Sequence, residues 1–256
     1  VGSEMCIRDS LKGTEGSALA EAPRQSMLAV DHCSRPLRVE RWIPQSSSKD
    51  GLWVLMMPGL GGDPDHFNWL ARSLMQAGWP VVVLKHPGSD AASVQALLEG
   101  RQSFDGAAAL RDRLADLVAV LDAQQRGDLN IPGTEVVLMG HSLGALTALL
   151  ASGAQPVPGM EQRCEAALAG LPLTNLSELL QCELAAGRVL EGNAMASPPR
   201  AVVGLNSFGG LIWPHRSSQA LPIPLLMVGG TLDLITPPLD EQRPLFAGLA
   251  EHPASR

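Results

Sequence analysis

Tyrosine is missing from this 256-residue chain, and aromatic residues as a whole make up only 4% of it, a shortage that by itself points to no function. No apolar run is long enough to cross a bilayer, which excludes a helical membrane span from the sequence as given. No cluster of lysine or arginine stands out against a net charge of −7, so nucleic acid and anionic membrane surfaces are poor partners. Four cysteines occur, Cys6, Cys33, Cys164 and Cys182, and their spacing is not that of a zinc site. No metal and no organic cofactor is implied. Cys164 and Cys182 flank one segment and could bridge it in an oxidising compartment; two free, partly buried thiols are the plainer reading and the preferred one. No internal repeat is present.

Apolar residues make up 45% of the chain, enough for one large α/β domain with a substantial core. Twenty prolines and twenty-six glycines imply many turns and not disorder, because apolar segments recur throughout. Residues 1–10 are set aside. Glu4-Met5-Cys6-Ile7-Arg8-Asp9-Ser10 resembles the translated end of a sequencing-library adapter. The chain is therefore expected to be a piece of a longer gene, with its compartment and oligomeric state unread. Residues 11–36 are polar and alanine-rich and read as a lead-in or linker, and residues 37–256 as the domain.

Residues 37–42 alternate apolar with charged, as in a half-exposed strand. Residues 52–57 form a continuous apolar run suited to a sheet covered on both faces, and 80–84, 201–205 and 224–230 read as further strands. Residues 63–77 read as a helix. Asp63 caps it, Pro64 fits its first turn, and Phe67, Leu70, Leu74 and Met75 line its apolar face. A helix over 110–121 carries Leu110, Leu114, Leu117, Val118 and Leu121 at helical spacing, and another is expected over 239–249. Residues 156–199 interrupt the alternation with two expected helices, near 162–169 and 176–186, placed to act as a lid. Strands alternating with helices imply a mostly parallel sheet with right-handed crossovers.

The chain is organised around Gly140-His141-Ser142-Leu143-Gly144, which ends an apolar run and opens a helical pattern. A nucleophilic serine must stand on a strained turn to expose its hydroxyl, and side chains two residues before and after would collide there. Gly140 and Gly144 meet that need. The turn also sets the Leu143 amide at a helix N-terminus, where it can hold an oxyanion. A glycine-rich turn with a capping serine would spell the same five letters. The strand before, the helix after and two further stations favour the nucleophile.

The first further station is Gly59-Leu60-Gly61-Gly62, at the end of the first apolar strand. A second oxyanion donor is needed, since losing one costs ~3 kcal/mol of barrier, and the Leu60 amide is the candidate. The other is Asp233, just beyond a strand, where a carboxylate would orient the histidine of a triad in the order Ser, Asp, His. The histidine itself is not found. His252 ends the last helix with no room for a strand before it, and His141 sits inside the elbow. His86 ends a strand and is a candidate only for lining the mouth of the site, and His32, His66 and His215 lie elsewhere. The base, and a final strand before it, are expected beyond Arg256.

These residues resemble the α/β-hydrolase superfamily. More narrowly, the chain is similar to bacterial, especially cyanobacterial, hydrolases related to dienelactone hydrolases and platelet-activating-factor acetylhydrolases. The likeness runs from residue 37 to about 245 and is carried by Pro58-Gly59-Leu60-Gly61-Gly62, His86-Pro87-Gly88-Ser89-Asp90, the elbow, Asn175-Leu176-Ser177 with Gln181-Cys182, and Asp233 with Thr236-Pro237. It implies Ser142 as nucleophile, Asp233 as triad acid and the Leu60 and Leu143 amides as oxyanion donors. Pro58 departs from the family, where a histidine commonly precedes Gly-Leu-Gly. In the acetylhydrolases the acid follows the strand after the elbow strand. Here that place holds Asn206, which favours Asp233. The expected activity is cleavage of small-molecule carboxylic esters through an acyl-enzyme, and the mostly apolar insert suggests a hydrophobic acyl or aromatic substrate. A non-catalytic binding module of the same fold, and an acyltransferase or thioesterase, are the alternatives.

Overall fold

Strands β3 (Leu52–Met57), β4 (Val81–Lys85), β5 (Glu135–His141) and β6 (Ala201–Leu205) are the apolar runs of the sequence, and each sends successive side chains to opposite faces. Trp53, Leu55, Leu84, Val136, Leu138 and Val202 enter one buried cluster, while Val54, Met56, Val83, Val137 and Met139 enter another on the opposite face. A run that is apolar at every position is what a sheet covered on both faces requires. The computed structural model describes residues 24–30, 36–46, 51–170, 175–186, 195, 197–214 and 221–256.

These strands, with β1 (Arg24–Val30), β2 (Leu37–Ile43) and β7 (Leu225–Val228), form a seven-stranded sheet in the order β1-β2-β4-β3-β5-β6-β7. The five strands from β4 to β7 in that order are parallel, and β2 and β1 follow antiparallel at one edge. Register pairs Met57 with Gly140, His141 with Leu205 and Leu205 with Val228. The loops leaving β3, β5, β6 and β7 therefore emerge side by side, at the sheet edge where open α/β folds bind their ligands.

Helix α1 (Asn68–Gln76) follows a 3-10 turn at Pro64–Phe67, and the two cover the second cluster with Phe67 of the turn and Ala71 and Met75 of the helix. Helices α3 (Gly106–Gln125), α4 (Leu143–Ala151) and α7 (Arg243–Leu249) cover the first, and α2 (Ala91–Leu98) follows β4. Helix α3 starts earlier than its leucine spacing suggests, because the Asp105 carboxylate accepts from the Ala108 amide at 2.8 Å and caps it. Its inner face also differs. Val118 is exposed, whereas Arg113 and Asp116 are buried. Residues 24–30, which the composition assigned to a lead-in, form β1, held by pairing with β2 and not by any periodicity of their own.

Helices α5 (Met160–Ala169) and α6 (Ser177–Ala185) fall where the insert was expected to have them. They pack together and a Cys164–Cys182 disulfide joins them, with Cα atoms 5.5 Å apart. The preference for free thiols is thus corrected: the packing of the two helices brings the cysteines within bonding reach. Cys6, Cys33, His32, His215 and residues 1–10 lie outside the described residues. Among the described residues no helix is long and apolar enough to cross a membrane.

Candidate active site

Ser142 stands between β5 and α4 with φ 51° and ψ −119°, a conformation that a non-glycine residue holds only when its surroundings impose it. Its amide donates to the Leu205 carbonyl at 2.9 Å, and its carbonyl accepts from the amides of Ala145 and Leu146 at 2.9 and 3.2 Å. Sequence spacing explains the rest. A Cβ on Gly140 would run into the backbone of Gly144 and Ala145, and one on Gly144 into the carbonyl oxygens of Met57 and Pro58. Gly59 is similarly confined, since a Cβ there would lie 2.9 Å from the Ser142 Cβ. Gly61 takes φ 72°, a left-handed position that favours glycine.

The two amides proposed from sequence lie in the segments flanking Ser142. The Gly59 carbonyl accepts from the Gly62 amide at 3.1 Å, and in a trans peptide the Leu60 N–H then points the opposite way. The Ser142 carbonyl points into α4, so the Leu143 N–H points back out of the helix N-terminus. Among the described residues neither N–H has an acceptor.

Asp233 lies beyond β7 and is only partly buried. Its Oδ1 accepts from the amides of Ile235 and Thr236 at 2.8 and 2.9 Å. Its Oδ2 accepts from the Thr236 hydroxyl at 2.7 Å and from Asn206 Nδ2. Partial burial alone would raise its pKa, but the four hydrogen bonds outweigh that and hold the carboxyl at about 2. Asn206 leaves β6 with φ 44° and joins this carboxylate to the cleft.

The cleft holds about 510 Å³. Its walls include Gly59 and Leu60 on one side, Phe67 and Trp69 on another, and His141, Leu205, Asn206 and Val228. Ser142 is not itself a lining residue and sits beside the cleft next to Gly59 and His141. Among the described residues none of α5 or α6 lines it, so these two helices do not form its wall; residues 171–174, 187–194 and 196 of the insert lie outside the described residues. The apolar wall comes from the first helix and the strand ends.

The strand alternation sends His141 to the α1 face, where its ring packs on Phe67 with centroids 5.6 Å apart. Burial lowers its pKa, with the Asp233 charge opposing and His66 adding to the fall, so the imidazole is neutral near pH 7. His86 does not line the mouth. It follows the end of β4, is 2% exposed, and its Nδ1 lies 3.0 Å from Oδ2 of the fully buried Asp116. His252 Nδ1 accepts from the Ala254 amide at 3.2 Å, after the last helix. Among the described residues no three metal-binding side chains cluster.

One residue of the site region is not singled out by the sequence. Arg113, 1% exposed on α3, donates through Nε to Thr147 Oγ1 at 3.2 Å, through Nη1 to Ser89 Oγ at 2.8 Å and through Nη2 to the Pro58 carbonyl. Burial pushes its pKa down to about 9 while the Asp116 charge opposes the fall, so it remains a cation at neutral pH. The pairing of Arg113 with Asp116, three residues apart on a helix, was the only available hint, and it reads equally well as a surface pair.

The sequence matches no protein-family model and no curated protein. Solved structures do match. An α/β serine hydrolase without a lid from Xanthomonas campestris superposes with a TM-score of 0.50 at 18% identity, covering 91% of this chain and 82% of that one. A lipase/esterase from Lactobacillus plantarum gives 0.51 at 13% identity, over 88% and 84%. A dienelactone hydrolase from Anabaena variabilis gives 0.49 at 18% identity, over 84% and 76%. The first two, with the sheet order and the strand–turn–helix at Ser142, show that the chain has the α/β-hydrolase fold.

Proposed function

We propose that the chain is a serine hydrolase scaffold for carboxylic esters, in which Ser142 is the nucleophile and forms an acyl-enzyme. The observation that carries this reading is the strained Ser142, held at positive φ between glycines that admit no side chain, with two amides beside it that have no acceptor among the described residues. Storing backbone strain at one serine costs on the order of 1–3 kcal/mol, and an ordinary capping serine has no use for it. Attack on the ester carbonyl would place the new oxyanion at the Leu60 and Leu143 amides, and water would later release the acid.

Asp233 is the carboxylate that would orient an imidazole and stabilise its cation. Its four acceptor sites are filled, so an incoming imidazole N–H would displace Asn206 Nδ2, the donor that faces the cleft. The walls formed by Leu60, Phe67, Trp69, Leu205 and Val228 favour a hydrophobic acyl or aromatic group on the ester.

A fluorophosphonate probe tests the reading. Labelling of the folded chain that Ser142→Ala abolishes supports it. A folded chain that stays unlabelled with imidazole supplied would instead favour a binding module on the same fold.

A further inference from the structure

Two arms of the Arg113 guanidinium end on the segments that carry the two amides, and the third reaches the Leu60 loop through Ser89. Nη2 holds the Pro58 carbonyl, two residues before Leu60. Nη1 holds the Ser89 hydroxyl, and the Ser89 carbonyl accepts from the Gly61 amide at 2.9 Å, one residue after Leu60. Nε holds the Thr147 hydroxyl, which donates to the Leu143 carbonyl at 2.7 Å. The Leu60 loop is thus gripped on both sides and the first turn of α4 at its start, all from one planar group. A guanidinium suits this task because its donors stand in a fixed fork, so moving one arm moves the others. The choice is costly. Burying a cation is unfavourable unless it is paired and hydrogen-bonded, and packing alone would be served better by an apolar side chain.

We propose that Arg113 is a positioning residue that sets the spacing of the Leu60 and Leu143 amides around the developing oxyanion. This rests on the reading of Ser142 as nucleophile. Arg113 touches no substrate. It acts through the Pro58–Gly62 loop and through Thr147. Asp116, which takes up His86 at 3.0 Å, supplies the opposing charge behind it. Because the amides matter most when charge has developed on the oxygen, loosening them should lower turnover more than substrate binding.

The test measures Ser142-dependent hydrolysis of 4-nitrophenyl esters, with imidazole in the buffer, for wild type, Arg113→Lys, Thr147→Val and Ser142→Ala. Rates are divided by the concentration of sites titrated with a phosphonate. A displacement of about 1 Å costs up to about 100-fold in rate. Arg113→Lys is therefore expected to lose roughly 10- to 100-fold in kcat per titrated site, with KM within about twofold. Thr147→Val should lose less, in the same direction. Arg163→Lys is the control. Arg163 ties the carbonyls of Val157, Pro158 and Leu211 at 2.6–2.7 Å, away from the cleft, so its loss should lower stability and spare kcat per site. Unchanged kcat per site in folded Arg113→Lys would overturn the proposal. Should that variant not fold, an unchanged kcat in Thr147→Val overturns it. If Ser142→Ala hydrolyses as fast as wild type, the nucleophile reading falls first and the Arg113 role falls with it.

Discussion

Ser142 holds a conformation that glycine adopts freely and serine does not. Replacing it with glycine removes strain on the order of 1–3 kcal/mol, against roughly 0.5–1 kcal/mol lost to the greater freedom of glycine in the unfolded chain. Ser142→Gly should therefore raise the thermal midpoint while abolishing probe labelling, and a lowered midpoint would show that the turn is not strained. Asp233 makes a second residue-scale case. Its folded pKa of about 2 lies below the ordinary carboxylate value of about 4. The stability it contributes is fully present above about pH 4 and is lost as the pH falls toward 2. In Asp233→Asn that titration is gone, so urea midpoints measured from pH 4 down to pH 2 should fall less steeply than in the wild type. Both residues stand out as candidates in the sequence, Ser142 from glycine spacing and Asp233 from its place after a strand. Arg113 does not. A charged residue inside an amphipathic helix reads as solvated, and only the tertiary fold shows that three separate segments converge on it.

At the scale of elements, the insert shows how far pattern reading reaches. Helices α5 and α6 were expected from the sequence, yet where they dock was not, because docking depends on partners far along the chain. The main anchor is Glu241, 1% exposed. Its carboxylate accepts from Asn175 Nδ2 at 2.7 Å, from Gln181 Nε2 at 3.0 Å and from the amides of Gly209 and Gly210 at 2.8 and 2.7 Å. It ties α6 and Asn175, two residues before it, to the loop after β6. Glu241→Gln would turn one oxygen into an N–H group facing donors. The cost of such an unsatisfied buried group is about 1–3 kcal/mol, readable as a lower urea midpoint. Probe labelling of Ser142 should be retained, since no residue of α5 or α6 lines the cleft. Lost labelling in a folded variant would restore the insert to a role at the site. Strand β1 was hidden for the same kind of reason, its pairing with β2 being tertiary. The buried strands were legible because burial on both faces demands unbroken apolar runs.

The whole sheet decides what surrounds Ser142. Neighbouring strands β5, β6 and β7 deliver Ser142, Asn206 and Asp233 in turn to one edge, while β3 delivers the Leu60 loop on the other side of β5. On the proposed reading, in which Asp233 orients the base, that base would reach Ser142 from the Asp233 side. The described histidines are engaged otherwise. His86 is bound to Asp116, His66 Nδ1 faces the Asp63 amide at 3.4 Å, His252 is bound to Ala254, and His141 is packed on Phe67 beside Gly59. A base contributes about 10²- to 10⁴-fold, and added imidazole can recover part of that by diffusing into the open cleft. Imidazole should therefore speed the labelling of Ser142 by about tenfold or more, with a pH dependence that follows the neutral form of imidazole itself. His141→Gln should leave this rate within about twofold. The opposite pattern, no response to imidazole and loss of labelling in folded His141→Gln, would make His141 the base. It would then have to reach the serine from the α1 face, with Asp233 acting on it only at a distance through its charge.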